Sequence, residues 1–268
     1  MIRILLLIFT LFFSCDLLAS GQFELWTKAY NPNANLEPRD IYVYLPPKYQ
    51  ESNKSYPVIY MHDGQNLFDP TRAFLGQTWK AQSTLNYLIK NNFIEPVIVV
   101  AIDNSKDRLW EYTPSQSDRR DGGGADQYLN LIVNQLVPAI DAEFRTLKDS
   151  KNRAMLGSSL GGLVSIYSAI ETPNVFGKIA ALSPSLWWDN KIILKLLQES
   201  QLSLDKVWLD CGSKEGEIVE SVNSAEDIFL EQLNQNQLKV IIQEGAEHSE
   251  KFWAARLPYV LYFLFPKN

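Results

Sequence analysis

The segment Gly157-Ser158-Ser159-Leu160-Gly161 sets one serine, Ser159, between glycines two positions away on either side. A serine hydroxyl is a weak nucleophile and needs a neighbouring base poised near neutral pH, most often a histidine. The chain holds two histidines, His62 and His248. These residue types suit attack of a hydroxyl on an acyl carbonyl. A base takes the hydroxyl proton, and backbone N–H groups hold the negative charge that develops on the carbonyl oxygen.

G-x-S-x-G acquires meaning only between a strand and a helix, where the chain turns sharply and lifts the serine out. Arg153 to Leu156 reads as a strand and Leu160 to Ile170 as a helix, so the context is the required one. Gly157 and Gly161 let backbone pack close to the turn, and the helix start faces the site with unpaired N–H groups. Ser158 is the alternative serine, but it lacks the symmetric glycines.

The remaining elements alternate. Pro57 to Met61, Pro96 to Ile102, Lys178 to Leu182, Lys206 to Cys211 and Leu238 to Gln243 read as buried strands. Helices are predicted over Thr78 to Lys90, Ala125 to Phe144 with a bend at Pro138, Asn190 to Glu199, Glu217 to Asn234, and Phe252 to Phe263 with an interruption near Pro258. This alternation means a mainly parallel sheet with helices on both faces. Phe23 to Thr27 and Asp40 to Leu45 have no helix between them and are expected to form an antiparallel hairpin at one edge. In such a sheet, ligands bind beyond the carboxyl ends of the strands.

That rule locates the partners. His248 lies just after the strand Leu238 to Gln243 and is the histidine that follows Ser159, as the order serine, acid, histidine requires. The acid should follow Lys206 to Cys211. Glu215 is the first choice, with Asp210 and Glu217 as alternatives, since Glu217 also suits a helix start. Leu160 N–H follows the nucleophile and is one expected oxyanion donor. Gln65 N–H, in the Gly64-bearing loop after Met61, is the other. His62 and Asp63 are expected to brace that loop. Arg108, Trp110, Trp187 and Trp188 are the expected pocket residues; with Tyr112, Trp253 and Glu111 they gather after strand ends as an aromatic wall with one or two charges, which suits a flat or sugar-like ester. The sequence has no metal-ligand spacing and no G-x-G-x-x-G after its first strand, so no cofactor is expected.

Composition bounds the rest. The 268 residues are 46% hydrophobic and 21% charged, enough apolar material for one sizeable α/β core. The net charge of −6 and the lack of a basic run argue against a nucleic-acid partner. Residues 1–21 read as an export leader, with Arg3, an apolar run from Ile4 to Phe13 and small residues at Ala19-Ser20-Gly21. The apolar run is shorter than the ~20 residues of a membrane span. Cleavage near Ala19 would release a soluble protein. Lipidation at Cys15, in the lipobox-like Phe12-Phe13-Ser14-Cys15, would anchor it to a membrane. Residues 22–268 are then one secreted, periplasmic or envelope domain, with Cys211 as a buried thiol.

The chain resembles the esterase family that contains feruloyl esterases, siderophore esterases of the enterobactin type, S-formylglutathione hydrolases and mycobacterial mycolyltransferases. The resemblance rests on MHDGQNLFD (Met61 to Asp69), RLWEYTP (Arg108 to Pro114), VPAIDAEFRT (Val137 to Thr146), GSSLGG (Gly157 to Gly162), SPSLWW (Ser183 to Trp188), DCGSKEGE (Asp210 to Glu217) and EHSEKFW (Glu247 to Trp253). It implies an α/β-hydrolase fold and a serine carboxylic-ester hydrolase using Ser159 and His248. It favours Glu215 as acid, through the family's C-G-x-x-[DE] pattern, and Gln65 and Leu160 as donors. Some siderophore esterases of this group lack a well-placed acid, which keeps Glu215 open. Acyl transfer to a sugar or lipid hydroxyl would use the same residues; a non-catalytic binder on the same scaffold would not need all three, so the presence of serine, histidine and carboxylate argues against it. The resemblance does not choose the ester.

Overall fold

In the central strands every residue is buried, because helices cover both faces of the sheet. The computed structural model describes residues 20–31, 36–118 and 120–267. Residues 1–19 of the expected leader, including Cys15, and the loop residues Pro32 to Asn35 lie outside the described residues.

Eight strands form one sheet: β1 (Gln22–Tyr30), β2 (Arg39–Leu45), β3 (Val58–His62), β4 (Ile98–Ile102), β5 (Arg153–Ser158), β6 (Lys178–Leu182), β7 (Lys206–Gly212) and β8 (Leu238–Gln243). Their order is β1-β2-β4-β3-β5-β6-β7-β8. β1 pairs antiparallel with β2, and β2 antiparallel with β4. All other pairings are parallel. The edge hairpin and the parallel core are as the sequence implies.

The helices are α1 (Ala81–Lys90), α2 (Arg108–Glu111), α3 (Ala125–Leu131), α4 (Val137–Glu143), α5 (Leu160–Glu171), α6 (Trp188–Glu199), α7 (Glu217–Gln232) and α8 (Glu250–Leu264). Strand residues alternate between two cores. Val58 and Tyr60 of β3 and Ile98 and Val100 of β4 join the face covered by α3 to α7. Ile59, Met61, Val99 and Ala101 join the face covered by α1 and α8. The strict alternation follows from the period of two along a strand.

Three departures from the sequence reading have local causes. The bend expected at Pro138 is a π-helical segment, Ile132–Leu136, between α3 and α4. Val137 N–H reaches back five residues to Ile132 O, a register change that accommodates the missing N–H of Pro138. Pro258 does not interrupt α8, which runs through it. Trp253, Leu257, Val260, Leu261 and Leu264 bury one stripe of that helix against the sheet, and this burial outweighs the ~3 kcal/mol helix cost of an internal proline. Finally, Asp189, Asn190 and Lys191 all have left-handed backbone angles, so the regular turns of α6 begin beyond them.

The topology creates one crevice. From β3 the chain moves to β4 on one side, then crosses to β5 on the other. Between the carboxyl ends of β3 and β5 lies the switch point where ligands bind in open α/β sheets.

Candidate active site

Ser159 caps α5 with φ 56° and ψ −122°, a conformation a non-glycine residue rarely holds without support. Here Ser159 N–H donates to Leu182 O at 3.0 Å, while Ser159 O accepts from Leu163 N–H at 3.1 Å and Ser185 N–H at 3.0 Å. Gly157 makes the turn possible. A Cβ there would lie 2.6 Å from the Gly161 carbonyl, so the strand before the serine and the helix after it touch backbone to backbone.

His248 arrives from the loop after β8. Its Nε2 lies 3.0 Å from Ser159 Oγ, and its Nδ1 lies 2.7 Å from Glu215 Oε2. Trp253 meets the imidazole edge-on, 4.9 Å between ring centres. Glu215 is wholly buried at its carboxylate. Burial alone would raise its pKa, but hydrogen bonds from His248, Ser183 and Gly212 N–H outweigh that and hold it below the usual range. It therefore stays ionised at neutral pH and can fix the imidazole tautomer and stabilise an imidazolium.

The alternatives to Glu215 are placed elsewhere. Glu217 opens α7. Asp210 is fully buried and paired with Arg256, Nε to Oδ1 at 3.0 Å, and accepts from Trp208 Nε1–H at 2.7 Å. Burial pushes its pKa up to about 6 against the pull of Arg256. Asp210 acts on the site indirectly, through Ser183. Ser183 N–H donates to Asp210 O at 2.8 Å. Ser183 Oγ accepts from Arg256 Nη2 and Trp253 Nε1, both at 2.9 Å, and donates to Glu215 Oε1 at 2.8 Å. The sequence reading missed Ser183 and Arg256. Both left a signal. Ser183 is the first residue beyond β6, and Arg256 is a lone charge on the apolar stripe of α8, which must find a partner if buried.

The loop after β3 supplies the other wall. Gly64, Gln65 and Asn66 form a 3-10 turn entered through Asp63, which is left-handed at φ 55°. The turn's own bonds are Asn66 N–H to Asp63 O and Leu67 N–H to Gly64 O, which do not use Gln65 N–H. Leu160 is the first residue of α5, so its N–H has no partner within the helix. Asp63 is clamped by Arg108, Nε to Oδ1 at 2.6 Å and Nη2 to Oδ2 at 2.8 Å, and by Asn104 Nδ2 at 2.6 Å. Gln65 Oε1 accepts Asn104 N–H at 3.2 Å. His62 is buried, its Nδ1 2.8 Å from Tyr128 Oη. Burial lowers its pKa to about 3, so it stays neutral; the imidazole and the Arg108-paired carboxylate of Asp63 together brace the loop.

Gly64 is needed for close approach. A Cβ there would lie 2.8 Å from the Ala101 carbonyl carbon and 2.9 Å from that of Ile102. Gly64→Ala is therefore expected to cost about 1–3 kcal/mol and to lower turnover by pushing the Gln65 loop off β4. Urea unfolding and an ester assay on one preparation measure both.

Ser159, His248, Gln65, Arg108, Phe74 and Trp253 line one cleft of about 530 Å³. The expected pocket is corrected here. Of its four residues only Arg108 lines this cleft, and its charge is spent on Asp63. Trp188 is a core residue, 1% exposed, donating Nε1–H to Ser115 O at 2.9 Å. The Trp110 indole lies against the backbone of Gly124. Trp187 faces a neighbouring hollow with Arg120. The cause is packing: the Trp188 indole is fixed on Ser115 and the Trp110 indole on Gly124. The aromatic groups at the cleft, Phe74 and Trp253, come from the loop after β3 and from α8.

A family model described as "Putative esterase" matches residues 34–263. The chain belongs to this esterase family. It is accordingly a carboxylic-ester hydrolase on the α/β-hydrolase fold. The Bacillus subtilis protein YbbA is 29% identical to the esterase over 241 residues, covering 84% of this chain and 92% of YbbA. The siderophore triacetylfusarinine C esterase of Aspergillus fumigatus is 31% identical over 148 residues, 52% of this chain and 47% of that enzyme. Among solved structures, the BES protein of Bacillus cereus superposes with a TM-score of 0.70 at 25% identity, covering 92% of the esterase and 95% of BES.

Proposed function

We propose that this esterase works through an acyl-enzyme on Ser159. Ser159 Oγ attacks the ester carbonyl while His248 Nε2 takes its proton. The oxyanion is held by the N–H groups of Leu160 and Gln65, and the alcohol leaves with the proton from His248. Water, activated by the same imidazole, then releases the acid. Glu215 keeps the imidazole oriented throughout. The continuous hydrogen-bonded chain from Glu215 through His248 to Ser159 carries this reading.

The substrate class is a small-molecule, sugar or siderophore ester met outside the cytoplasm. The leader-like sequence of residues 1–21, read as cleaved near Ala19 or lipidated at Cys15, supports that location, and the siderophore esterase relative supports that range of esters. The test is hydrolysis of p-nitrophenyl acetate, methyl ferulate, an acetylated sugar and a ferric triscatecholate ester by the wild type and by Ser159→Ala. Turnover that persists in the variant would refute the mechanism, and the best substrate names the class.

Glu215→Ala should lower kcat by about 10³- to 10⁴-fold, with KM changed far less, because the carboxylate acts on the imidazole and not on bound ester. Steady-state kinetics decide this. A loss under tenfold would mean that Glu215 does not serve the histidine.

A further inference from the structure

We propose that Glu250 makes the cleft select esters that carry a cationic group and reject anionic ones. The inference rests on the serine-esterase reading, since it names the substrate class of that site.

Glu250 is the first residue of α8, two positions beyond His248, and it lines the same cleft as Ser159 and His248. The other charges there cancel in pairs. Arg108 is held by both oxygens of Asp63, and Arg72 is paired with Asp103. Glu250 makes no ion pair among the described residues. From its own helix, Lys251 is the neighbouring cation and lies over the Phe252 ring at 5.4 Å. Nearby Glu247 is taken up by Lys214. One carboxylate without an ion-pair partner thus remains in the cleft that holds Ser159, a cleft also lined by the apolar surfaces of Phe74 and Trp253.

Its surroundings fit a carboxylate waiting for a partner. Burial raises the Glu250 pKa, and Asp63 raises it further, while its own N–H, His248 and Arg108 pull it down. A cation in the cleft would favour the charged form; an anion would add to the repulsion. A ferric triscatecholate, with several negative charges, would be a poor occupant. An ester bearing an ammonium group, with an apolar portion resting on Phe74, would be a good one.

The experiment uses permanently charged esters, so that only the protein titrates. Acetates of choline, 3,3-dimethylbutanol and 2-hydroxyethanesulfonate carry the charge on the alcohol side. Methyl esters of 4-trimethylammoniobutyrate, 5,5-dimethylhexanoate and 4-sulfobutyrate carry it on the acyl side. In at least one series, kcat/KM should fall from cation to neutral to anion by roughly tenfold per step, the order set by one charge at a few ångströms in a partly wet cleft. Glu250→Gln should shrink the cation-to-anion ratio by about as much. The wild-type ratio should also widen as pH rises through the raised pKa of Glu250. His248 acts on both members of the ratio and cancels.

Calorimetric binding of the same esters to Ser159→Ala gives the same ranking without turnover. Equal treatment of all charges in both series, or a preference that survives Glu250→Gln, would overturn the proposal. Hydrolysis persisting in Ser159→Ala would instead overturn the reading beneath it.

Discussion

Ser159→Ala is expected to lower kcat/KM by about 10⁴- to 10⁶-fold while leaving the fold intact. The nucleophile and its base act as one unit, so once the hydroxyl is gone the imidazole has nothing to activate. Residual turnover would then be what substrate binding and the proposed Leu160 and Gln65 donors supply. Adding His248→Ala to Ser159→Ala should cost little more, and that non-additivity is the sharper signature. Ser159→Gly should be equally inactive yet up to ~1 kcal/mol more stable. Glycine relieves the strain at φ 56°, worth about 1–3 kcal/mol, and gives part of it back in chain entropy. A Ser159→Ala protein within tenfold of the wild type would remove the basis of the mechanism.

Arg256→Met should destabilise the protein by about 3–5 kcal/mol, the largest effect on stability expected here. The substitution keeps the apolar stem on α8 but leaves Asp210 buried without its cation. The loss should depend on pH, and its sign follows from Asp210. That carboxyl already has a folded pKa pushed up to about 6, above its ordinary value of 3.8. A group raised in this way binds its proton more tightly folded than unfolded, so stability falls as pH climbs through that window. Without Arg256 the window widens upward. The variant should be hurt less at pH 5, where Asp210 can be neutral, than at pH 8. Urea unfolding at the two pH values tests this. Activity should fall as well, because Ser183 would lose the Arg256 bond that helps hold Oγ against Glu215.

Much of this arrangement is legible in the sequence, and the legible parts share a cause. The strands β3 to β8, the edge hairpin and the elbow are encoded locally, by apolar runs, turn residues and the glycines around Ser159. His248 and Glu215 follow from one topological rule, that ligands meet the carboxyl ends of parallel strands. The support behind them is not local. Ser183, Asp210, Arg256 and Trp253 belong to three separate elements, and nothing in their spacing says that they share one hydrogen-bond network. The tryptophans failed for a related reason. An indole reads the same in a pocket wall and in a core, and only the packing of Trp188 on Ser115 and Trp110 on Gly124 separates the two. Glu250 was read as part of a motif and not as a side chain in the cleft. Its importance lies in the charges around it being already paired.

The central claim is that an acyl group resides on Ser159 during turnover. The most direct measurement is to inactivate the enzyme with diethyl p-nitrophenyl phosphate, which phosphorylates an activated serine, and to map the adduct by peptide mass spectrometry against remaining activity. The account predicts one phosphoryl group per chain, on Ser159, appearing in proportion to the activity lost and absent from His248→Ala under the same conditions. Modification of Ser158 or Ser185 instead, or loss of activity without an adduct on Ser159, would contradict it.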